Sequence, residues 1–325
     1  MSFVSQSEEI AMGSEQYLLM QQAEGGLYLS DPTVVEYIKK VGHKLAAVSD
    51  RSSLPYEFVV LDNPIPNAWA LPGGKIAINR GLLIELKSEA ELAAVLSHEI
   101  VHSAARHGAK ACERSILTQV GLVGVQRMLE EYNYQNIITG SALLSSNLLH
   151  LKYSREAELE ADFYGIKYMV KAGYDPRAAI ELQKIFLRLS DSKTPHWLLG
   201  LFATHPPSKE RIKENEKTAA LYPQDVPLID GKEEYEKATL HLQKTKPAQE
   251  LLQKGYHALA TQNPKEALSC AEQGLHIAPS EAHLHNLAGK ANLALHDFKG
   301  AFAYFQKAAD LNPSYFDFYL GLGLS

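Results

Sequence analysis

Two histidines four residues apart, His98 and His102, with Glu99 directly after the first, constrain this 325-residue chain more than any other feature. Four residues along an α-helix amount to about 40° of rotation and about 6 Å of rise. On a helix both imidazoles therefore project from one face and can share a single zinc ion. Glu99 lies about 100° round from His98, too far to join that pair, but able to act as general base on a zinc-bound water. Ser88 and Glu91 form a capping-box pattern that opens this helix. It is predicted to run to about His107, with Gly108 as its stop.

A hydrolytic zinc needs a third protein ligand and a fourth position left for water. His107 follows His102 by five residues, about 140° round the helix, so it points away and reads as a helix-end residue. The better source is the run from Ser154 to Asp162, Ser-Arg-Glu-Ala-Glu-Leu-Glu-Ala-Asp. Helical geometry puts Glu158 and Asp162 on one side, with Arg155 and Gly165, and leaves Glu156 and Glu160 on an opposite, solvated face. One carboxylate on the metal and one acid orienting a ligand histidine make a chemically sensible pair. Glu158 is assigned to zinc, and Asp162 to a hydrogen bond with His98 or His102. Gly165, one turn on, permits close approach of the two helices. The competing reading is a salt-bridged surface helix.

Helical periodicity dominates elsewhere too. Asp31-Pro32 opens a helix to about Ala47, proline being harmless in a first turn, and Asp175-Pro176 opens another. Residues 56–61 read as a strand. Segments 67–71 and 75–79, flanking Pro72-Gly73-Gly74, read as a hairpin that completes a small sheet. Residues 115–151 are apolar with several glycines and serines, and fit either a closely packed helix pair or a lid or membrane-surface element over the site. Residues 221–231, proline-rich and without period, read as a linker.

Beyond the linker the sequence repeats itself. Gly255, Ala267 and Pro279 recur 34 residues later as Gly289, Ala301 and Pro313. A 34-residue helix-turn-helix period with small residues at the contacts resembles the tetratricopeptide repeat. Phe305 and Ala308 also fit it; Ala271 and Gly274 fit it less well. Gly323 continues the series into a third unit, which is either a cap or the start of a longer array.

The net charge of -6 argues against nucleic acid and anionic membrane as main partners. Cys112 and Cys270 are too far apart to suggest a disulfide framework. No segment reaches the ~18 apolar residues of a spanning helix, and the N-terminus lacks a basic start and an apolar stretch, so neither an anchor nor a signal peptide is expected.

Taken together, His98-Glu99-x-x-His102, the Ser154–Asp162 run, Thr204-His205-Pro206-Pro207 with Arg211-Ile212, Asn67 to Gly74 and Arg80-Gly81-Leu82-Leu83 resemble the metallopeptidase family of CAAX prenyl proteases, HtpX and Oma-type proteases. The resemblance covers roughly residues 6–215. A peptidase domain joined to tetratricopeptide repeats is similar to the family's periplasmic β-barrel assembly-enhancing branch. The resemblance implies a mainly α fold: a zincin-type α+β metalloprotease domain with a small β-sheet over residues 1–225, then a helical repeat domain over 226–325. It implies one zinc ion, protein or peptide substrates, a periplasmic setting, and outer-membrane assembly machinery as partner of the repeats. It supports Glu158 as third ligand and gives Asn67 and Ala68 a substrate-binding role, on an edge strand that pairs with an extended peptide. An ordinary core hairpin packed by Trp69 is the alternative. In similar enzymes His205 stabilises the oxyanion or, in an inhibited state, occupies the metal's open position; simple capping is its third reading. A rival for the whole chain is a repeat-based chaperone or adaptor with a closed, structural zinc site, which leaves Glu99 without a purpose.

Overall fold

The computed structural model describes residues 4–114, 153–191, 205–223 and 226–325. Helix α1 (Gln6–Ala23) precedes α2 (Pro32–Ala46), whose N-cap Asp31 accepts the backbone N–H of Thr33 and Val34. Strands β1 (Glu57–Leu61), β2 (Ala68–Leu71) and β3 (Lys75–Asn79) form one sheet in the order β1-β3-β2. β3 pairs parallel with β1 and antiparallel with β2. Gly73 and Gly74 carry the positive φ values that the turn between β2 and β3 requires.

The sheet is buried on both faces. Phe58, Val60, Ala68, Ala70, Ile76 and Ile78 enter the main core, while Trp69, Leu71 and Ala77 pack under Tyr17 and Met20 of α1. This is the period-2 alternation of a strand with α1 as its second cover. A Cβ at Gly13 would stand 1.9 Å from the carbonyl oxygen of Pro72, so α1 touches the hairpin backbone to backbone.

After α3 (Arg80–Glu85), helix α4 (Glu89–Ala104) crosses the main core with Leu92, Leu96 and Ile100 buried. It ends three residues earlier than its period suggests. Arg106, not Gly108, takes the left-handed turn, at φ 62°, and residues 107–114 start a fresh helical stretch. Arg106 is held by buried Glu9 of α1, 3.0 Å from its Nε, an ion pair 97 residues long in sequence. Helix α5 (Arg155–Lys171) is capped by Ser154 and packs against α4 through Gly165, where a Cβ would sit 3.3 Å from the backbone nitrogen of His98. Helix α6 (Ala178–Asp191) begins two residues after Pro176, because Asp175 first accepts the N–H of Arg177 in a turn. Helix α7 (Lys209–Ala219) follows, capped by Ser208. The reading of 115–151 lies outside the described residues.

The proline-rich segment is not a free tether. Ile229 bridges to Tyr174, and Asp230 accepts the N–H of Ala90. Short α8 (Lys232–Ala238) follows, with the buried Tyr235 hydroxyl donating to the Leu83 carbonyl. The 34-residue period then appears as α9 (Leu240–Ala260), α10 (Pro264–Ile277), α11 (Ala282–Ala294), α12 (Phe298–Leu311) and α13 (Phe316–Leu324). The recurring glycines sit at crossings: a Cβ on Gly255 would strike Leu287, and one on Gly289 would strike Phe305.

These helices dock onto the sheet domain. His283 Nε2 donates to the Gly25 carbonyl and Asn312 Nδ2 to that of Leu27, each at 2.8 Å. Beneath them Arg80, fully buried, pairs with Asp62 and lies 3.6 Å from Glu281. Burial pushes the Glu281 carboxyl up, Arg80 pulls it back and Asp62 adds to the push, leaving it at about 7. A carboxyl raised on folding contributes stability below its unfolded value near 4.5 and loses it as pH rises towards 7. Glu281→Gln is therefore expected to flatten the fall in melting temperature between pH 5 and pH 8. Parallel profiles for the two proteins in differential scanning fluorimetry would refute this.

Candidate metal centre

His98 and His102 emerge from the last turns of α4, both buried, with their Nε2 atoms 3.1 Å apart. Glu158, on α5, lies opposite: Oε2 is 3.5 Å from His98 Nε2 and Oε1 is 3.4 Å from His102 Nε2. His205 closes the group from the loop before α7, with Nδ1 3.4 Å from His98 Nε2 and 3.0 Å from Glu158 Oε1. All four donors lie within 4.8 Å of one another. A tetrahedral zinc with bonds of about 2.1 Å sets its ligands about 3.4 Å apart. The distances just given, 3.0 to 3.5 Å, are close to that spacing, and imidazole and carboxylate are the donor types zinc takes. The residues fit the metal.

A layer of partners fixes the donors. Asp162 Oδ1 is 2.9 Å from His98 Nδ1; with Nε2 turned to the metal, Nδ1–H donates to it. Arg211, 4% exposed, forks onto Asp162 at 2.6 and 2.7 Å and reaches Glu158 Oε2 at 2.8 Å. Burial alone would raise the Asp162 carboxyl, but Arg211 and His98 hold it below the usual carboxylate range. Burial disfavours charge on His98, yet Glu158 and Asp162 outweigh it and lift the imidazole to about 10. The same two carboxylates would meet the charge of a divalent ion held by the histidines.

Sequence reasoning missed four contributors. His107 does not point away: the turn at Arg106 swings it back, with Nδ1 2.9 Å from His102 Nδ1 and Nε2 3.4 Å from Glu160. Glu160, assigned to a solvated face, thereby anchors a relay that orients His102. Tyr153 stacks on the His102 ring at 3.9 Å and 18°. Arg211 is the buried counter-ion, while Arg155, expected beside Glu158, points outward and pairs with Glu210. Nothing local marks Arg211, since its acids are about 50 residues upstream; its place in the quoted Arg211-Ile212 motif is the one available signal.

Glu99 is buried but outside the donor group. Its Oε1 is 3.6 Å from His205 Nε2, its Oε2 has no hydrogen-bond partner among the described residues, and burial raises its carboxyl. Ala68 opens β2, an edge strand of the sheet among the described residues, and lines the same cavity as His98 and Glu99. Asn67 is turned inward, its Oδ1 accepting the N–H of Ala68 at 3.0 Å. Trp69 packs edge-on against Tyr17.

A profile of peptidase family M48 matches residues 32–219, which is more than half of the chain. The chain belongs to peptidase family M48. The match spans α2 to α7 and so contains every residue of the centre. M48 peptidases are zinc-dependent hydrolases, and the four-donor group is where this member can hold the metal. The chain is 37% identical over 189 residues to the mitochondrial metalloendopeptidase OMA1 of Schizosaccharomyces pombe, covering 57% of this chain and 53% of that one. It is 32% identical over 206 residues to the OMA1 of Arabidopsis thaliana, covering 63% and 40%. It is also 32% identical over 225 residues to the β-barrel assembly-enhancing protease of Yersinia pestis, covering 65% and 44%. The chain therefore spans about half, or less, of the length of these relatives.

Proposed function

We propose that this chain is a zinc-dependent endopeptidase held in a closed state by His205. The observation that carries the reading is the placement of His205, whose two nitrogens engage the donor group and Glu99 together. His98, His102 and Glu158 are the ligands in this reading, and Asp162 and His107 orient the two histidines. Bound zinc would supply Lewis-acid polarisation of the scissile carbonyl and the attacking water. Glu99 accepts the water's proton and returns it to the leaving amine. Its raised carboxyl suits it to both transfers. If His205 does not plug the site, its alternative role is to donate to the developing oxyanion. An extended substrate would lie along β2 at Ala68, with Asn67 shaping the strand's start.

The segment before residue 226 is the peptidase domain in this reading, and residues 226–325 are a tetratricopeptide-type partner-binding domain. A cleft of about 520 Å³ between residues 62–65 and helices α9 and α11, lined by Tyr256, His283 and Lys290, offers such a partner a seat. The Yersinia relative is named for enhancing β-barrel assembly, and in this reading the chain acts in periplasmic quality control of outer-membrane proteins, with the assembly machinery as partner. No described helix is long and apolar enough to cross a membrane. The second reading, an adaptor with a closed structural zinc site, is favoured by the same four-donor arrangement.

His205→Ala separates the two. Release of a plug should raise cleavage of unfolded casein about tenfold or more, at one zinc per chain. A fall in activity would instead make His205 an oxyanion donor, and an absence of cleavage by both zinc-loaded proteins would favour the adaptor.

A further inference from the structure

Beside Glu99 the site includes a small cavity of about 20 Å³. Ala68, Glu99 and His205 line it from the centre, while Met169 of α5 and Leu182 and Phe186 of α6 supply apolar lining. Gln183, 2% exposed, also lines it, and its Oε1 has no hydrogen-bond partner among the described residues. A buried carbonyl oxygen left unmet is costly, and a donor supplied by a ligand would meet it. The cavity adjoins the metal centre, with His98, Asp162 and Arg211 also in its wall, but no role assigned so far uses Gln183, Leu182 or Phe186.

We propose that the cavity is the subsite for the substrate side chain on the leaving-amine side of the scissile bond, and that Gln183 and Phe186 make it select small residues, serine first and alanine second. The inference rests on the peptidase reading. Glu99 must hand its proton to the leaving nitrogen, so the residue carrying that nitrogen lies against Glu99, and its side chain faces the cavity that Glu99 lines. A space of this size accepts about one water-sized group. A methyl or hydroxymethyl group fits, and a hydroxymethyl group can donate to Gln183 Oε1. Leucine or phenylalanine would have to displace Leu182 or Phe186, and overfilling a packed pocket discriminates by about 10- to 100-fold.

The test is cleavage of a peptide mixture randomised at that position, using the zinc-loaded full chain and its His205→Ala variant, with products sequenced by mass spectrometry. Serine and alanine should exceed leucine and phenylalanine by about 10-fold or more. Phe186→Ala should admit leucine and phenylalanine. Gln183→Leu, which removes the acceptor at little change in volume, should abolish the advantage of serine over alanine. Cleavage without preference at this position would overturn the inference and leave the peptidase reading standing. A preference unchanged by both variants would also overturn it. No cleavage by either parent protein would instead remove the peptidase reading on which it rests.

Discussion

Glu99→Gln is expected to lower peptide cleavage by about 100-fold or more while leaving bound zinc and the thermal transition intact. Glutamine keeps the shape of the side chain but can neither accept the water's proton nor return it to the amine. The zinc content should hold because Glu99 stands outside the four-donor group. The fold should hold because burial already raises the Glu99 carboxyl, so at neutral pH its charge opposes folding. Removing that charge leaves the melting temperature unchanged or slightly higher. The comparison belongs in whichever parent cleaves faster, wild type or His205→Ala, so that a closed site does not mask the effect. Equal rates in parent and variant, at equal zinc, would end the general-base assignment and strengthen the adaptor reading.

The parts of this centre that the sequence exposes are those set by local period. His98 and His102 share a face because four residues make just over one turn, and Glu158 and Asp162 share one for the same reason. Ser154 caps its helix through a bond three residues long, to Ala157. Pro72-Gly73-Gly74 turns the hairpin with its own backbone freedom. What stays hidden depends on contacts between distant segments. The end of α4 is set by Glu9, nearly a hundred residues away, gripping Arg106 and Arg51. That one turn decides whether His107 faces solvent or His102, and no helical wheel contains it. Asn67 carries no local sign that its amide oxygen turns back onto the next residue. The 34-residue period announces paired helices, but not the seat they find on Gly25, Leu27 and the Arg80 cluster.

Arg211→Met is expected to destabilise the chain by about 3–5 kcal/mol in the presence of a chelator, lowering the melting temperature by about 10 °C. The guanidinium is the shared counter-charge of two buried carboxylates and forks onto both oxygens of Asp162. Methionine fills most of its volume, so what is lost is charge and hydrogen bonding rather than packing. Arg211→Lys should recover little, because one ammonium cannot bridge both oxygens of Asp162 and reach Glu158. The pH dependence has a definite sign. Both carboxyls are held below their ordinary values, 4.5 for Glu158 and 3.8 for Asp162. Such groups contribute stability above those values and lose it as pH falls through their folded ones. The penalty of the substitution should thus be largest near neutral pH and shrink in acid. Saturating zinc should also shrink it, since the dication supplies a counter-charge to the same carboxylates. Melting curves of both proteins, with chelator and with zinc, at pH 7 and pH 4 provide the check. A penalty independent of zinc and of pH would mean that Arg211 acts through packing alone and that the carboxylates of the centre do not depend on it.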